Sequence, residues 1–179
     1  MKESNKSILV LAFPKIRVSD YKWIQLIRRK HDKAFYNVVE PHFTIVFPVF
    51  NFNINKISAH VSIVAKSIKP IKLSIRATTI VKDSFSDGID VFLTPDEGNS
   101  DIIKLHDKLY TEILLKELRL DIPFIPHIAI GRGENALESK KIADKINKEK
   151  FIINGIIDEL DLVEYEHPIV KTIKKFKLH

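Results

Sequence analysis

Two stretches decide how this chain is read: "EPHFTIVFP" from Glu40 to Pro48, and "IPHIAIGRG" from Ile125 to Gly133. Each puts a proline before a histidine and follows it with a short β-forming run. On a strand, alternate side chains share a face. His42, Thr44 and Val46 then lie on one side of the first strand, with Phe43, Ile45 and Phe47 on the other. The Phe/Ile/Phe side is the expected core face, so His42 and Thr44 are presented together. In the second strand, Ile128 and Ile130 take the core side and His127 and Ala129 point away. Strict alternation also turns Arg132 inward. Gly131 and Gly133 flank it, however, and a strand that ends there would free the side chain.

Working outward, strand-like runs alternate with helix patterns. Strands are expected at Ile8–Phe13, His42–Phe47, Ile71–Val81, Ile89–Leu93, His127–Ile130, about Lys150–Leu162 and Ile169–Phe176. Ser19 is the expected N-cap of a helix to about Lys30, with Trp23, Ile24 and Ile27 inward. Ile54, Ile57, Val61, Val64 and Ile68 form a second helix face. Asp101–Leu118 is the longest expected helix, with Ile102, Leu105, Leu109 and Ile113 inward, and a fourth spans Asn135–Lys148. "DSFSDG" is an expected turn and "TPDEGNS" an expected loop. The element order β-α-β-α-β occurs twice and then adds a final strand, and the two histidines are 127 − 42 = 85 residues apart. This predicts an α+β fold built by internal duplication: two pseudo-symmetric lobes, each an antiparallel-rich sheet with helices outside, around a central groove. No linker rich in Gly, Pro or Ser separates the approximate halves 1–85 and 86–179, so residues 1–179 are expected to form a single bilobal domain.

With 179 residues, 45% hydrophobic and 29% charged, the composition is that of a globular protein. No apolar run approaches the roughly 20 residues that cross a bilayer. The polar start "MKESNKS" gives no expectation of a signal peptide. The absence of cysteine excludes disulfides and thiolate metal sites and suits a reducing cytoplasm. The formal net charge of +6 favours phosphate-bearing partners.

Two histidines facing one groove suit phosphodiester chemistry. A neutral imidazole can take a proton while a protonated one gives one. Threonine can donate to a non-bridging phosphate oxygen, where charge develops in the transition state. A metal site would need three or four convergent ligands, and His42 and His127 make only two. A single histidine of this kind is most simply a satisfied core residue; the matched pair argues for function.

"PHFTIVFP" and "PHIAIGR", with "AFPKI", "DVFLTPDEG", "LHDKLY" and "IPFIPHI" around them, resemble the two-histidine (2H) phosphoesterase superfamily, above all its 2′-5′ RNA ligase-like branch. The resemblance covers roughly Ile8 to Arg132. It implies a metal-independent enzyme without a cofactor that opens 2′,3′-cyclic phosphate ends of RNA or small cyclic nucleotides. Some members join RNA halves through a 2′-5′ bond by the reverse reaction. It implies His42 and His127 as the catalytic pair and Thr44 as a phosphate-binding hydroxyl. The partners expected are RNA ends or nucleotides, with no metal and no membrane, for a cytoplasmic monomer. Ala129 departs from the family pattern, which has Thr or Ser there. A lost hydrogen bond to a charged group costs about 1.5–3 kcal/mol, roughly one to two decades of rate. Arg132, water or a backbone N–H could substitute on that side. The alternative expectation is a binding module for a nucleotide or RNA end that has lost efficient catalysis.

Overall fold

The structure, a computed structural model, describes residues 6–84 and 86–179. The expected turn "DSFSDG" includes Phe85, and the polar start of the chain includes residues 1–5; these lie outside the described residues. In chain order the elements are β1 (Ser7–Ala12), β2 (Lys15–Ile16), α1 (Val18–His31), β3 (Phe43–Val49), α2 (Ile54–Ala65), β4 (Ile71–Lys82) and β5 (Ile89–Glu97). There follow α3 (Asn99–Leu109), a 3₁₀ helix (Glu112–Glu117), β6 (Ile128–Gly133), α4 (Ala136–Asn147), β7 (Ile153–Ile157), β8 (Glu159–Glu166) and β9 (Ile169–Lys177).

The strands form two antiparallel sheets, ordered β3-β1-β8-β9 and β2-β7-β4-β5-β6. The α+β class and the two lobes expected from the sequence are therefore present. Each sheet draws strands from both expected halves, and the expected boundary between them separates β4 from β5, which are neighbours in the second sheet. The helices cross over as well. The chain passes from β1 of the first sheet through β2 of the second into α1, which packs on β6 of the second; α3 follows β5 of the second but packs on β3 of the first. α2 covers β8 and β9, and α4 covers β4, β5 and β6. One cluster of buried side chains runs through both lobes, from Ile8, Phe43 and Val61 to Leu93, Ile128 and Ile157.

The crossing of α1 over β6 is tight. A Cβ on Gly131 would lie 2.5 Å from the His31 Cβ. Gly98 serves the other turn: it precedes α3 at φ +80°, and a Cβ there would collide with the Lys72 carbonyl oxygen. Both constraints select glycine. Asn53 and Asn135 cap α2 and α4, accepting from the N–H groups of Lys56 at 3.1 Å and Glu138 at 3.0 Å.

Several sequence expectations are corrected. α1 begins at Val18, one residue before Ser19, with Arg17 at the cap position and no capping side chain. Arg17 pairs instead with Asp20 of the first turn. "TPDEGNS" is no loop: Thr94–Glu97 continue β5, and Asn99 and Ser100 open α3. Pro95 is accommodated because the β4–β5 register shifts on both sides of its partner Ile75. The helix expected to reach Leu118 ends at Leu109, so the longest is α1. The chain resumes as a 3₁₀ turn in which Leu114 is buried and Ile113 exposed. The strand expected over Lys150–Leu162 is two strands in different sheets, parted at Asp158.

Candidate active site

Both motif strands carry a bulge at the same place. Val10 and Leu11 pair with Val46 and Thr44, leaving Ile45 as the extra residue; Val91 and Phe92 pair with Gly131 and Ala129, leaving Ile130 as the extra one. Ile45 and Ile130 are 85 residues apart, like the histidines. An extra residue reverses the alternation beyond it. Val46 turns into the core, and Phe47, expected there, lines the cleft instead. Arg132 is likewise on the cleft side. The cause is the bulge rather than a strand end, because β6 runs through to Gly133.

The cleft between the sheets has a volume of about 1420 Å³ and is lined by His42, Thr44, His127, Ala129 and Arg132 together. His42 and His127 sit one residue ahead of β3 and β6. The Nδ1 of His42 lies 2.7 Å from the Glu40 carbonyl oxygen, and that of His127 lies 2.5 Å from the Ile125 carbonyl oxygen. A carbonyl can only accept, so each Nδ1 carries the proton. Each Nε2 keeps its lone pair and has no hydrogen-bond partner among the described residues. Burial pushes the pKa of both imidazoles down to about 4, against the raising effect of those backbone bonds. His42 further depresses His127, so the two resist being charged together. Arg28 acts the same way on His42.

The two halves of the cleft differ. Thr44 supplies a hydroxyl on the first lobe. Opposite, Ala129 is exposed and offers a methyl, and Phe92 stacks on His127 at 3.5 Å and 12°. Phe13 lies more loosely against His42, at 5.8 Å. Arg132 is held rather than free. It donates from Nε to Asp90 at 2.7 Å, from Nη2 to Asp83 at 2.8 Å and from Nη1 to Ser86 at 3.1 Å. Among the described residues, no three His, Asp or Glu side chains gather as a metal site.

Three supports were invisible in the sequence. The buried Arg28 pairs with Asp32 at 2.9 Å and donates to the Phe35 carbonyl oxygen at 3.1 Å, fixing the loop that leads to His42. His106 of α3 is buried; its Nδ1 donates to the bulge carbonyl of Ile45 at 2.7 Å. Its ring stacks on Phe124 at 3.6 Å. Phe92 had no signal beyond lying on a β run. Phe124 lines the cleft as well.

The sequence matches the 2′-5′ RNA ligase superfamily over residues 16–168. The chain belongs to that superfamily. No curated protein matches it by sequence. Among solved structures, the protein TT0787 of Thermus thermophilus aligns with a TM-score of 0.64 at 14% identity, covering 96% of this chain and 97% of its own. LigT of E. coli in complex with 3′-AMP aligns at 0.56 and 15%, covering 97% and 98%. Usb1 of Kluyveromyces marxianus aligns at 0.53 and 8%, covering 98% and 99%. At such identities the likeness is one of fold. Near-complete coverage of both chains means that this 2′-5′ RNA ligase superfamily member spans the same bilobal unit. Among its described residues, no helix is long and apolar enough to cross a membrane.

Proposed function

We propose that the protein opens 2′,3′-cyclic phosphate ends, of RNA or of small nucleotides, by two-histidine acid–base catalysis without a metal. The observation that supports this best is the pair of Nδ1-anchored imidazoles lining one cleft with Nε2 unpartnered. Neutral Nε2 of one histidine takes a proton from water as its oxygen attacks phosphorus. Protonated Nε2 of the other gives its proton to the leaving 3′ oxygen of the ribose. One P–O bond forms and one breaks, leaving a 2′-phosphate and a 3′-hydroxyl. The mutual repulsion of the two imidazolium forms disfavours the doubly protonated pair, so the site holds at most the one proton that acid–base exchange needs. Bound phosphate, being anionic, draws that single proton into the site. Thr44 donates to a non-bridging oxygen. On the other side Arg132 is the group that can reach the anion, with its charge already shared with Asp83 and Asp90. The LigT structures, which hold 3′-AMP, ATP, NADP+ and phosphate, agree with a nucleotide in such a cleft.

The test is turnover of 2′,3′-cyclic nucleotides and cyclic-ended oligonucleotides with EDTA present. Wild type should turn over, and His42→Ala or His127→Ala should lower the rate by about two decades or more, the scale of one lost acid or base. An inactive wild type, or unaffected variants, would end this reading.

Ala129 favours a second reading, a binding module that retains the cleft without efficient catalysis. Ala129→Thr separates the two. Regaining one hydrogen bond to a charged oxygen is worth about 1.5–3 kcal/mol, or roughly 10- to 100-fold in rate. Tight binding with no turnover in either form supports the module.

A further inference from the structure

A second groove lies outside the cleft, between α1 and α4 on the outer face of the second sheet. Its volume is about 380 Å³, and Trp23, Lys30, His31, Lys141, Lys145 and Glu149 are among its walls. Lys30, His31, Lys141 and Ile142 line both this groove and the cleft, so the two adjoin along these side chains. Lys30, Lys141 and Lys145 are exposed and form no ion pair among the described residues, whereas the neighbouring Lys140 pairs with Asp144. The one carboxylate in the groove, Glu149, accepts from the Trp23 indole at 3.4 Å. The positive potential is felt locally: burial lowers the pKa of His31, and Lys30 and Lys145 lower it further. At the far end Trp23 packs against Phe151, with ring centres 5.0 Å apart.

An unpaired cationic track ending on an aromatic surface is the arrangement that binds single-stranded nucleic acid. Phosphates follow the charge and a base stacks on the ring. We propose that this groove carries the strand leading to the reactive end, so that the substrate is a single-stranded RNA several nucleotides long rather than a mononucleotide. This rests on the reading of the cleft as a site for cyclic phosphate ends. Lys30, Lys141 and Lys145 contact backbone phosphates, and Trp23 receives a base.

Trp23 is the sole tryptophan of the chain, so its emission reports on the groove directly. The probe is an oligoribonucleotide of about eight residues, within the usual span of such tracks, ending in a 3′-phosphate that offers no cyclic bond to open. It should quench Trp23, and 2′,3′-cyclic AMP should not. With three phosphate contacts and a slope of about −0.7 per contact, affinity should fall about 20-fold between 50 and 200 mM salt. The Lys30→Gln/Lys141→Gln/Lys145→Gln variant should lose that slope and bind at least about 10-fold more weakly at the lower salt. An oligonucleotide that leaves Trp23 emission unchanged overturns the proposal, as does a variant that binds like wild type. A response to phosphatidylserine vesicles but not to RNA would assign the groove to a membrane surface and also overturn it. The two readings fail separately. Oligonucleotide binding without turnover removes the catalytic reading and leaves the groove; turnover of cyclic mononucleotides without groove binding does the reverse.

Discussion

Replacing Gly131 by alanine tests how strictly one helix fixes the cleft. The added Cβ would lie 2.5 Å from the His31 Cβ, 3.0 Å from the His31 carbonyl oxygen and 3.2 Å from its carbonyl carbon. None of these is a movable side-chain tip. Ordinary carbon–carbon contact needs about 3.5–4.0 Å, so the end of α1 must retreat by about 1 Å from β6. Overpacking of this kind costs about 1–3 kcal/mol. In a chain of this length that is a fall in melting temperature of about 3–10 °C. The displacement passes directly into Asp32, the next residue, whose carboxylate holds Arg28 and the Phe35 N–H, and so into the loop before His42. Calorimetry of Gly131→Ala gives the loss. Adding His31→Gly removes the closest atom but leaves the backbone oxygen, so the double variant should recover part of it. A melting temperature within about 1 °C of wild type, or a double variant no better than the sum of the singles, would refute the reasoning.

Stability should also fall on acidification. His42 and His127 are held at about 4 in the fold, below the value of about 6.5 expected in the unfolded chain. Between those values the unfolded state binds more protons, so stability is full above about pH 6.5 and drops as pH falls toward 4. The ceiling is about 3.4 kcal/mol per histidine at 1.36 kcal/mol per unit. Urea titrations from neutral to acid pH should show the drop, and His42→Gln/His127→Gln should flatten it; a parallel profile in that variant counts against the depressed values. His106→Leu keeps the bulk but loses the donor to the Ile45 carbonyl, which should cost about 1–3 kcal/mol in denaturant unfolding. An unchanged midpoint would show that the bulge does not depend on that bond.

The presentation of His42 with Thr44, and of His127 with Ala129, was legible because alternation is local and both strands begin at the motif. What followed each motif was not. Ile45 and Ile130 look like any β-branched strand residue, and only pairing with β1 and β5 makes them bulges. Hence alternation puts Phe47 on the wrong face, and Arg132 reaches the cleft side through a bulge where a strand end was expected. The end of the third helix was hidden for a similar reason. Ile113 keeps the helical spacing, but the chain leaves the helix after Leu109 and buries Leu114 instead. Arg28, Asp32 and Phe92 act through tertiary contacts that no spacing announces. The crossing of α1 and α3 between lobes was equally out of reach, since an amphipathic face does not say which sheet it will cover.

That crossing bears on how a duplicated chain of this kind can arise. One repeat alone, β1 to β4, would send α1 to a partner strand equivalent to β6, and β4 to a neighbour equivalent to β5. The corresponding strands of the same repeat, β3 and β1, are not the ones that α1 packs on or β4 pairs with. A half-length chain with this connectivity would meet those needs by pairing two copies that trade a helix and a strand, with one histidine from each copy in the shared cleft. In a single chain the two sides of the cleft are free to differ, as Thr44 and Ala129 do, which two identical copies could not.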